Sequence, residues 1–163
     1  MSGRAWKFGD DISTDLIAAG RYAYLRTDLP ELAKHVLEDA RDEFRSSVRP
    51  GDFVVGGRNF GLGSSREHAP TIIKMAGVSC VAAKSFARIF FRNCINIGMP
   101  AVTVDTDRIA EGDELMLDLR AGVLKDLTNG EILTFPAMPK VMTDILEAGG
   151  LVPYLKKNGG FVL

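Results

Sequence analysis

The sequence contains few residues that bind metals or form disulfides. Among its 163 residues there are two cysteines, Cys80 and Cys94, and two histidines, His35 and His68. Two cysteines are too few for a disulfide framework, and the two histidines do not form a spaced metal-ligand pair. Both cysteines stand among apolar residues, which predicts buried thiols. The sequence therefore predicts that this chain binds no metal by itself.

The chain also lacks an excess of charge of either sign and any long apolar run. It has 20 basic and 21 acidic side chains, for a net charge of −1. Nucleic-acid binding favours a basic face, so we expect no nucleic-acid partner. A membrane-spanning helix needs about 18 or more apolar residues in a row, and a signal peptide needs an apolar core. Neither is present, so we expect no membrane association and a cytoplasmic location.

The pattern of apolar residues predicts an α/β fold with a mixed sheet. The length of 163 residues suits a single domain over residues 1–163. Strands are predicted at 51–55, 78–83 and 100–104, with helices at 65–76 and 85–91, which gives a βαβ unit. Pro70 lacks a backbone donor, so the first of these helices is expected to have a short first turn or to begin regularly near Pro70. Residues 114–119 alternate, and 123–134 read as a hairpin that turns at Asn129-Gly130, so these later strands are predicted to be antiparallel.

Three further helices follow from periodicity and capping. Apolar residues recur at helical spacing from Leu29 to Phe44, after a capping Asp28. Two more helices are predicted at 141–148 and 151–157, separated by Gly149-Gly150.

The segment from Gly57 to Pro70 is the most informative part of the chain. It reads Gly-Arg-Asn-Phe-Gly-Leu-Gly-Ser-Ser-Arg-Glu-His-Ala-Pro. Its glycines allow positive φ and close approach of a ligand, and Ser64 to Glu67 has the form of a capping box that opens a helix. A helix start beside the Arg66 guanidinium favours an anion. The segment therefore predicts an anion-binding loop, with a plain strand–helix turn and a capping serine as the alternative.

Common phosphate and nucleophile motifs do not match this loop. A P-loop needs Lys where Ser64 stands, and a nucleophile elbow needs a Gly that neither Arg66 nor Glu67 supplies. These mismatches favour another kind of anion site over a nucleotide-binding loop or a serine hydrolase.

Three ordered motifs resemble the swivelling domain of the aconitase superfamily. Besides the Gly57 loop they are Trp-Lys-Phe-Gly-Asp-Asp-Ile-Ser-Thr-Asp at 6–15 and Ala-Arg-Ile-Phe-Phe-Arg-Asn-Cys-Ile-Asn-Ile-Gly at 87–98. The likeness is strong from about residue 5 to 104. The chain is similar to the free-standing form of this domain, the small subunits of 3-isopropylmalate dehydratase and homoaconitase. The resemblance implies a single swivelling β/β/α domain.

The resemblance also implies an activity and its site residues. Members isomerise a hydroxy acid by removing water and adding it back, which makes this chain a hydro-lyase subunit. Matched to the family motif, Ser64 is the catalytic base and Asp15 the second catalytic residue. Ser65, Arg66 and Thr14 bind substrate. From the residues alone, Thr14 and Asp15 are equally well explained as a turn and cap before a short helix.

A cofactor and a partner follow from the same resemblance. The family uses a [4Fe–4S] cluster, which needs several thiolates that this chain lacks. We therefore expect no cofactor on this chain, a cluster on a large subunit, and a heterodimer or heterotetramer that is active only when assembled. A second class of function stays open, in which the chain is a non-catalytic regulatory module that binds a small acid.

The substrate depends on residues 22–27, where the family places its substrate-selecting segment. Leu25 and Tyr24 would suit an isopropyl or methyl group, whereas Arg26 would suit a second carboxylate. We expect 3-isopropylmalate, the substrate in leucine biosynthesis. The alternatives are homoaconitate, of the lysine or coenzyme B pathways, and a methylated malate such as 2,3-dimethylmalate. All are small hydroxy di- or tricarboxylates. An Arg26 that only faces solvent is the alternative to a binding role.

Three side chains near these motifs have alternative interpretations. Arg88 and Arg92 lie four residues apart, on one helix face, and either form structural ion pairs or face a partner chain. Asn59 is expected to adopt positive φ within the loop, with a group that orients the site as the alternative.

Overall fold

The strands form one sheet in the computed structural model, which describes residues 1–63 and 66–161. The strand order is β4-β3-β2-β1-β5-β6-β7. Strands β1 to β4 are mutually parallel, and β5, β6 and β7 join them as antiparallel neighbours. The strands are Ser2–Lys7 (β1), Phe53–Val55 (β2), Cys80–Ala83 (β3), Ala101–Thr103 (β4), Glu114–Asp118 (β5), Val123–Asp126 (β6) and Ile132–Thr134 (β7).

Helices connect the parallel strands and close the C-terminal side. They are Thr14–Ile17 (α1), Leu29–Leu32 (α2), Phe44–Ser47 (α3), His68–Met75 (α4), Arg88–Asn96 (α5), Lys140–Glu147 (α6) and Leu151–Asn158 (α7). The predicted α/β class, the mixed sheet, the βαβ unit β3–α5–β4 and the β6–β7 hairpin are confirmed. None of the described helices is long and apolar enough to cross a membrane.

Strand β1, which the sequence pattern did not predict, joins the two halves of the sheet. Its residues Ser-Gly-Arg-Ala-Trp-Lys show no clear apolar alternation. Ala5 pairs with Phe53 in parallel, while Gly3 pairs with Leu115 in antiparallel register. A Cβ at Gly3 would lie 2.0 Å from the carbonyl oxygen of Gly51, so the close packing of β1 requires glycine there.

The core lies on both faces of the parallel strands. Trp6, Val54 and Val81 point to the layer formed with α4 and α5, while Phe53 and Cys80 point to the layer formed with β5, β6 and β7. Strands β2 and β3 are buried throughout, as expected for parallel strands covered on both sides. The prediction of buried thiols is confirmed for Cys80 and also for Cys94, which lies in the helical layer.

The predicted helix from Leu29 to Phe44 is wrong. Asp28 does cap a helix, but α2 ends at Leu32, Val36 is extended, and Leu37 has φ of +57°. Leu32, Val36, Leu37 and Phe44 are nonetheless all buried. An irregular chain that buries its apolar side chains can show helix-like spacing, so tertiary packing prevailed over periodicity here.

Helix α4 begins near Pro70, as expected from that residue, whereas α5 begins later than predicted. Helix α4 starts at His68, and no side-chain hydrogen bond caps it at Glu67. Pro70 is then the third helical residue, where the missing N–H has no intrahelical partner to lose. Helix α5 starts at Arg88, because residues 85–87 are held in hydrogen bonds to the Gly57 loop.

The Gly57–Gly63 loop is fixed on one side by the segment 9–14. Asn59 has φ of +56°, as expected, and its Nδ2 donates to Asp11 Oδ1 at 2.9 Å. Four backbone hydrogen bonds of 2.7 to 2.9 Å join the two segments: Gly57 N to Gly9 O, Asp11 N to Arg58 O, Gly61 N to Ile12 O, and Thr14 N to Leu62 O.

Residues 84–87 fix the loop on its other side. Phe60 N donates to Ser85 O at 3.0 Å, and Ala87 N donates to Phe60 O at 2.9 Å. Asn59 N also donates to Ser85 Oγ at 2.8 Å. The loop follows β2 and lies between the segments that follow β1 and β3, the strands on either side of β2, so the sheet sets its position.

Gly61 provides a test of this arrangement. Its φ is +79°, and a Cβ there would lie 2.1 Å from Cγ of Phe90. Gly112 has a similar φ of +83°, with nothing within 4 Å of its Cβ position. Both Gly→Ala variants carry the same backbone strain, but only Gly61→Ala overpacks the core. We expect Gly61→Ala to lower the free energy of unfolding by about 1–3 kcal/mol more than Gly112→Ala in urea titrations. Equal losses would show that the contact with Phe90 relaxes without cost.

Candidate active site

An ion pair between Asp15 and Arg66 marks the candidate site. Asp15 lies in the first turn of α1, which Ser13 caps by accepting from Leu16 N at 3.1 Å. Arg66 lies two residues before α4, and its Nη1 contacts an Asp15 carboxylate oxygen and donates to Ala18 O at 3.1 Å. The Arg66 side chain is 28% exposed and that of Asp15 is 64% exposed. Arg66 is thus held in place by α1 while its charge stays accessible.

Thr14 holds the end of the loop against α1. Thr14 is buried, and its N–H donates to Leu62 O at 2.8 Å. A Cβ at Gly63, whose φ is +109°, would lie 3.1 Å from Thr14 Oγ1. Ser64 and Ser65, the predicted base and the predicted substrate ligand, follow Gly63 directly but lie outside the described residues.

Arg26 and His68 lie with Arg66 around a small pocket. Its other lining residues are mostly apolar and come from 18–23 and from Leu32 of α2. The pocket volume is about 10 Å³. That is about the room that one water molecule needs, so a dicarboxylate does not fit inside it. Arg26 is exposed, and within the described part of the chain no hydrogen bond or ion pair engages its guanidinium. The pocket is therefore a cationic surface that a larger anion can meet from outside.

The surroundings of His68 lower its pKa below 6.5. Burial is the main cause, and the positive charges of Arg66 and then Arg26 add to it. His68 is therefore neutral at pH 7. Sequence reasoning did not place His68 at the site, because its proximity to Arg26 depends on how α4 packs against residues 20–26.

A polar cluster fixes the segment that carries Arg26. The Tyr22 ring stacks on His35 with centroids 3.9 Å apart, and its hydroxyl donates to Glu38 Oε1 at 2.7 Å. Arg21 pairs with Glu38 and Asp39. No short-range pattern links residues 21–22 to 35–39, so this cluster could not be predicted from sequence.

The two apolar residues of the substrate segment face different ways. Leu25 is half-buried and packs against the main core, whereas Tyr24 is 74% exposed. The structure thus brings Asp15, Arg26 and Arg66 together and packs Leu25 inward.

The described residues do not form a site for a [4Fe–4S] cluster. They hold no group of three or more His, Cys, Asp or Glu side chains arranged around a metal position. Burial raises the pKa of both the Cys80 and the Cys94 thiol, which disfavours the thiolates that a cluster requires.

The titration of His68 tests the electrostatics of the site. We expect its NMR-measured pKa to lie below 6.5 and to rise in Arg66→Gln, because a repelling charge is removed. Because folding lowers this pKa, the unfolded chain binds the proton of His68 at a higher pH than the folded chain does. His68 therefore lowers the free energy of unfolding as pH falls through and below the unfolded pKa of about 6.5. Arg58→Gln, which removes a charge elsewhere in the loop, is the control. A pKa that moves equally in both variants would contradict the assignment.

Comparisons with known proteins place this geometry in a family. The aconitase C-terminal domain model matches residues 18–107. The chain is 60% identical to 3-isopropylmalate dehydratase small subunit 1 of Thermotoga maritima, over 99% of this chain and 98% of that protein. It is 52% identical to the isopropylmalate/citramalate isomerase small subunit of Methanocaldococcus jannaschii, over 97% and 95%.

A solved structure agrees with these sequence matches. A crystal structure titled 3-isopropylmalate dehydratase, from Methanocaldococcus jannaschii, superposes with a TM-score of 0.92 at 44% identity, over 97% of this chain and 94% of that one. The chain belongs to the aconitase C-terminal domain family, in the group whose members are named as small subunits.

Proposed function

We propose that this chain is the small subunit of a 3-isopropylmalate dehydratase, a hydro-lyase of leucine biosynthesis in the cytoplasm. The observation that carries the proposal is the end-to-end match, at 60% identity, with a relative of that name. The accessible Arg66 beside Asp15 supports it, because a bidentate guanidinium suits a substrate carboxylate.

The site needs a second chain. The pocket of about 10 Å³ beside Arg26, Arg66 and His68 is too small for a substrate of this class. The described residues also supply no ligands for the family's [4Fe–4S] cluster. We therefore assign the cluster and the remaining walls of the site to a large subunit that covers this surface.

Arg66 binds the substrate by exchanging one anion for another. In the free chain it pairs with Asp15, which is largely exposed and can turn into solvent at little cost. A substrate carboxylate replaces Asp15 on the guanidinium, and the released Asp15 then accepts hydrogen bonds from substrate or orients a neighbouring group. Covering the site removes water and strengthens these charge interactions.

Ser64 takes the proton from the carbon next to the departing hydroxyl. A serine hydroxyl is a poor base at pH 7, so it requires strong stabilisation of its alkoxide. The positive charge of Arg66, two residues away in sequence, supplies part of it. Ser65 serves as a further ligand of the substrate carboxylate.

The test is reconstitution under anaerobic conditions with a cluster-bearing large subunit, followed by assays on isopropylmalate, homoaconitate and methylated malates. The proposal requires activity that depends on both subunits. Tight binding of a dicarboxylate by this chain alone, with no activity in any complex, would instead support a regulatory acid-binding module.

Ser64→Ala tests the assignment of the base. In the reconstituted enzyme it should lower kcat by at least about 100-fold while leaving complex formation unchanged, because a lost general base acts on the transition state. Ser65→Ala is the matched control and should cost less. A Ser64→Ala enzyme that keeps more than about a tenth of the wild-type kcat would exclude Ser64 as the base.

Arg26 favours a second candidate substrate, homoaconitate. Its exposed guanidinium, with no partner among the described side chains, lies beside Arg66 and His68, where a second carboxylate could bind. The relative named an isopropylmalate/citramalate isomerase small subunit keeps a methylated malate among the candidates.

Arg26→Val separates these substrates. If Arg26 binds a distal carboxylate, the variant should lose about 30-fold or more in kcat/KM on homoaconitate, as for one side of a charge pair. Activity on isopropylmalate should hold or rise, since its isopropyl tail then meets an apolar side chain. Small and equal changes on both substrates would place Arg26 outside the substrate site.

A further inference from the structure

An apolar groove of about 740 Å³ lies between α5 and the C-terminal helices α6 and α7. Phe161, at one end of it, is 60% exposed. Contiguous exposed apolar surface of this kind marks an interaction site rather than ordinary solvent-facing surface. The apolar residues that line the groove include Phe86, Phe91, Val141, Met142, Leu151 and Phe161.

Two arginines lie along the groove without ionic partners. Arg88 and Arg92 are exposed residues of α5 that line it, and no hydrogen bond or ion pair holds either guanidinium within residues 1–63 and 66–161. Arg21 and Arg108, in contrast, each pair with a carboxylate of this chain. Of the two interpretations of the Arg88–Arg92 spacing, the structure favours a face directed at another chain.

Residues 85 and 86 link the groove to the loop that precedes the candidate active site. Ser85 and Phe86 line its end nearest β3, and Ser85 accepts hydrogen bonds from the N–H groups of Asn59 and Phe60. The Phe86 ring contacts that of Phe60 at a centroid distance of 6.2 Å. A protein bound in the groove is thus one hydrogen-bonded segment away from the loop that precedes Ser64.

We propose that this groove, flanked by Arg88 and Arg92, is a docking surface for the large subunit, which contributes an apolar segment bordered by Asp or Glu side chains. The proposal rests on the proposed function, because that function requires a second chain at the neighbouring site. A second copy of this chain fits less well. A two-fold symmetric contact places the same patch on both sides and brings the arginines of both copies together.

Charge reversal and apolar truncation have different kinetic signatures at such a surface. With the large subunit of the same organism's dehydratase immobilised, Arg88→Glu and Arg92→Glu should each lower the association rate constant about 5-fold or more at low salt, with the difference shrinking at high salt. Phe161→Ser should raise the dissociation rate constant about 10-fold at every salt concentration, because it removes an aromatic anchor.

A matched control makes the experiment specific. Lys125→Glu makes the same change in net charge on the exposed face of β6, away from the groove, and should bind like wild type. At saturating large subunit the kcat of Arg88→Glu and Arg92→Glu should equal that of wild type, because these residues only dock. The urea concentration at which each variant is half unfolded is measured first. Binding is then compared among the variants whose midpoints equal that of wild type.

The outcomes separate the two proposals. A wild-type chain that neither binds the large subunit nor gains activity with it overturns the proposed function. Wild-type binding that the Arg88, Arg92 and Phe161 variants leave unchanged overturns the docking surface alone. The docking surface is also overturned if this chain forms a dimer in sedimentation experiments and Phe161→Ser abolishes that dimer without affecting large-subunit binding.

Discussion

The backbone hydrogen bonds that hold the Gly57–Gly63 loop are the constraint on which the rest of the site depends. Segments 9–14 and 84–87 bind the loop from opposite sides, and each follows a strand of the parallel sheet. The same bonds set the position of Thr14 at the start of α1, and through it the Asp15 carboxylate that meets Arg66. The shape of the loop is therefore determined mainly by the sheet, through these backbone hydrogen bonds.

The ion pair between Asp15 and Arg66 holds the Arg66 side chain in place and neutralises its charge. Without a partner, the Arg66 guanidinium would be repelled by the positive charge of Arg26. The Asp15 carboxylate offsets this repulsion. Under the proposed function, the same carboxylate competes with the substrate for Arg66, which lowers the affinity of the free chain for a dicarboxylate. Both effects favour binding only after a second surface excludes water and strengthens the interaction with the substrate.

Local sequence chemistry predicted the loop, the βαβ unit and the later hairpin, because glycine positions, apolar runs and an Asn-Gly turn act over a few residues. It failed where contacts between residues far apart in sequence determine the local structure. Residues 33–43 show helical spacing but form an irregular buried chain, and β1 has no strand pattern because its pairing with β2 and β5 determines its structure. The proximity of Arg26 to His68 likewise depends on tertiary packing. From the sequence, only the family resemblance predicts that Asp15 and Arg66 belong to the same site.

The central position of β1 also affects how the chain is made on the ribosome. Ser2 pairs with Met116, so β1 leaves the ribosome long before the strand that completes its second edge. At a synthesis rate of about 5–20 residues per second, that edge waits roughly 5–25 s without a partner. An open strand edge in a partly made sheet is a template for aggregation. The nascent chain therefore passes through a period in which the strand that later joins both halves of the protein has an open edge that other chains can pair with.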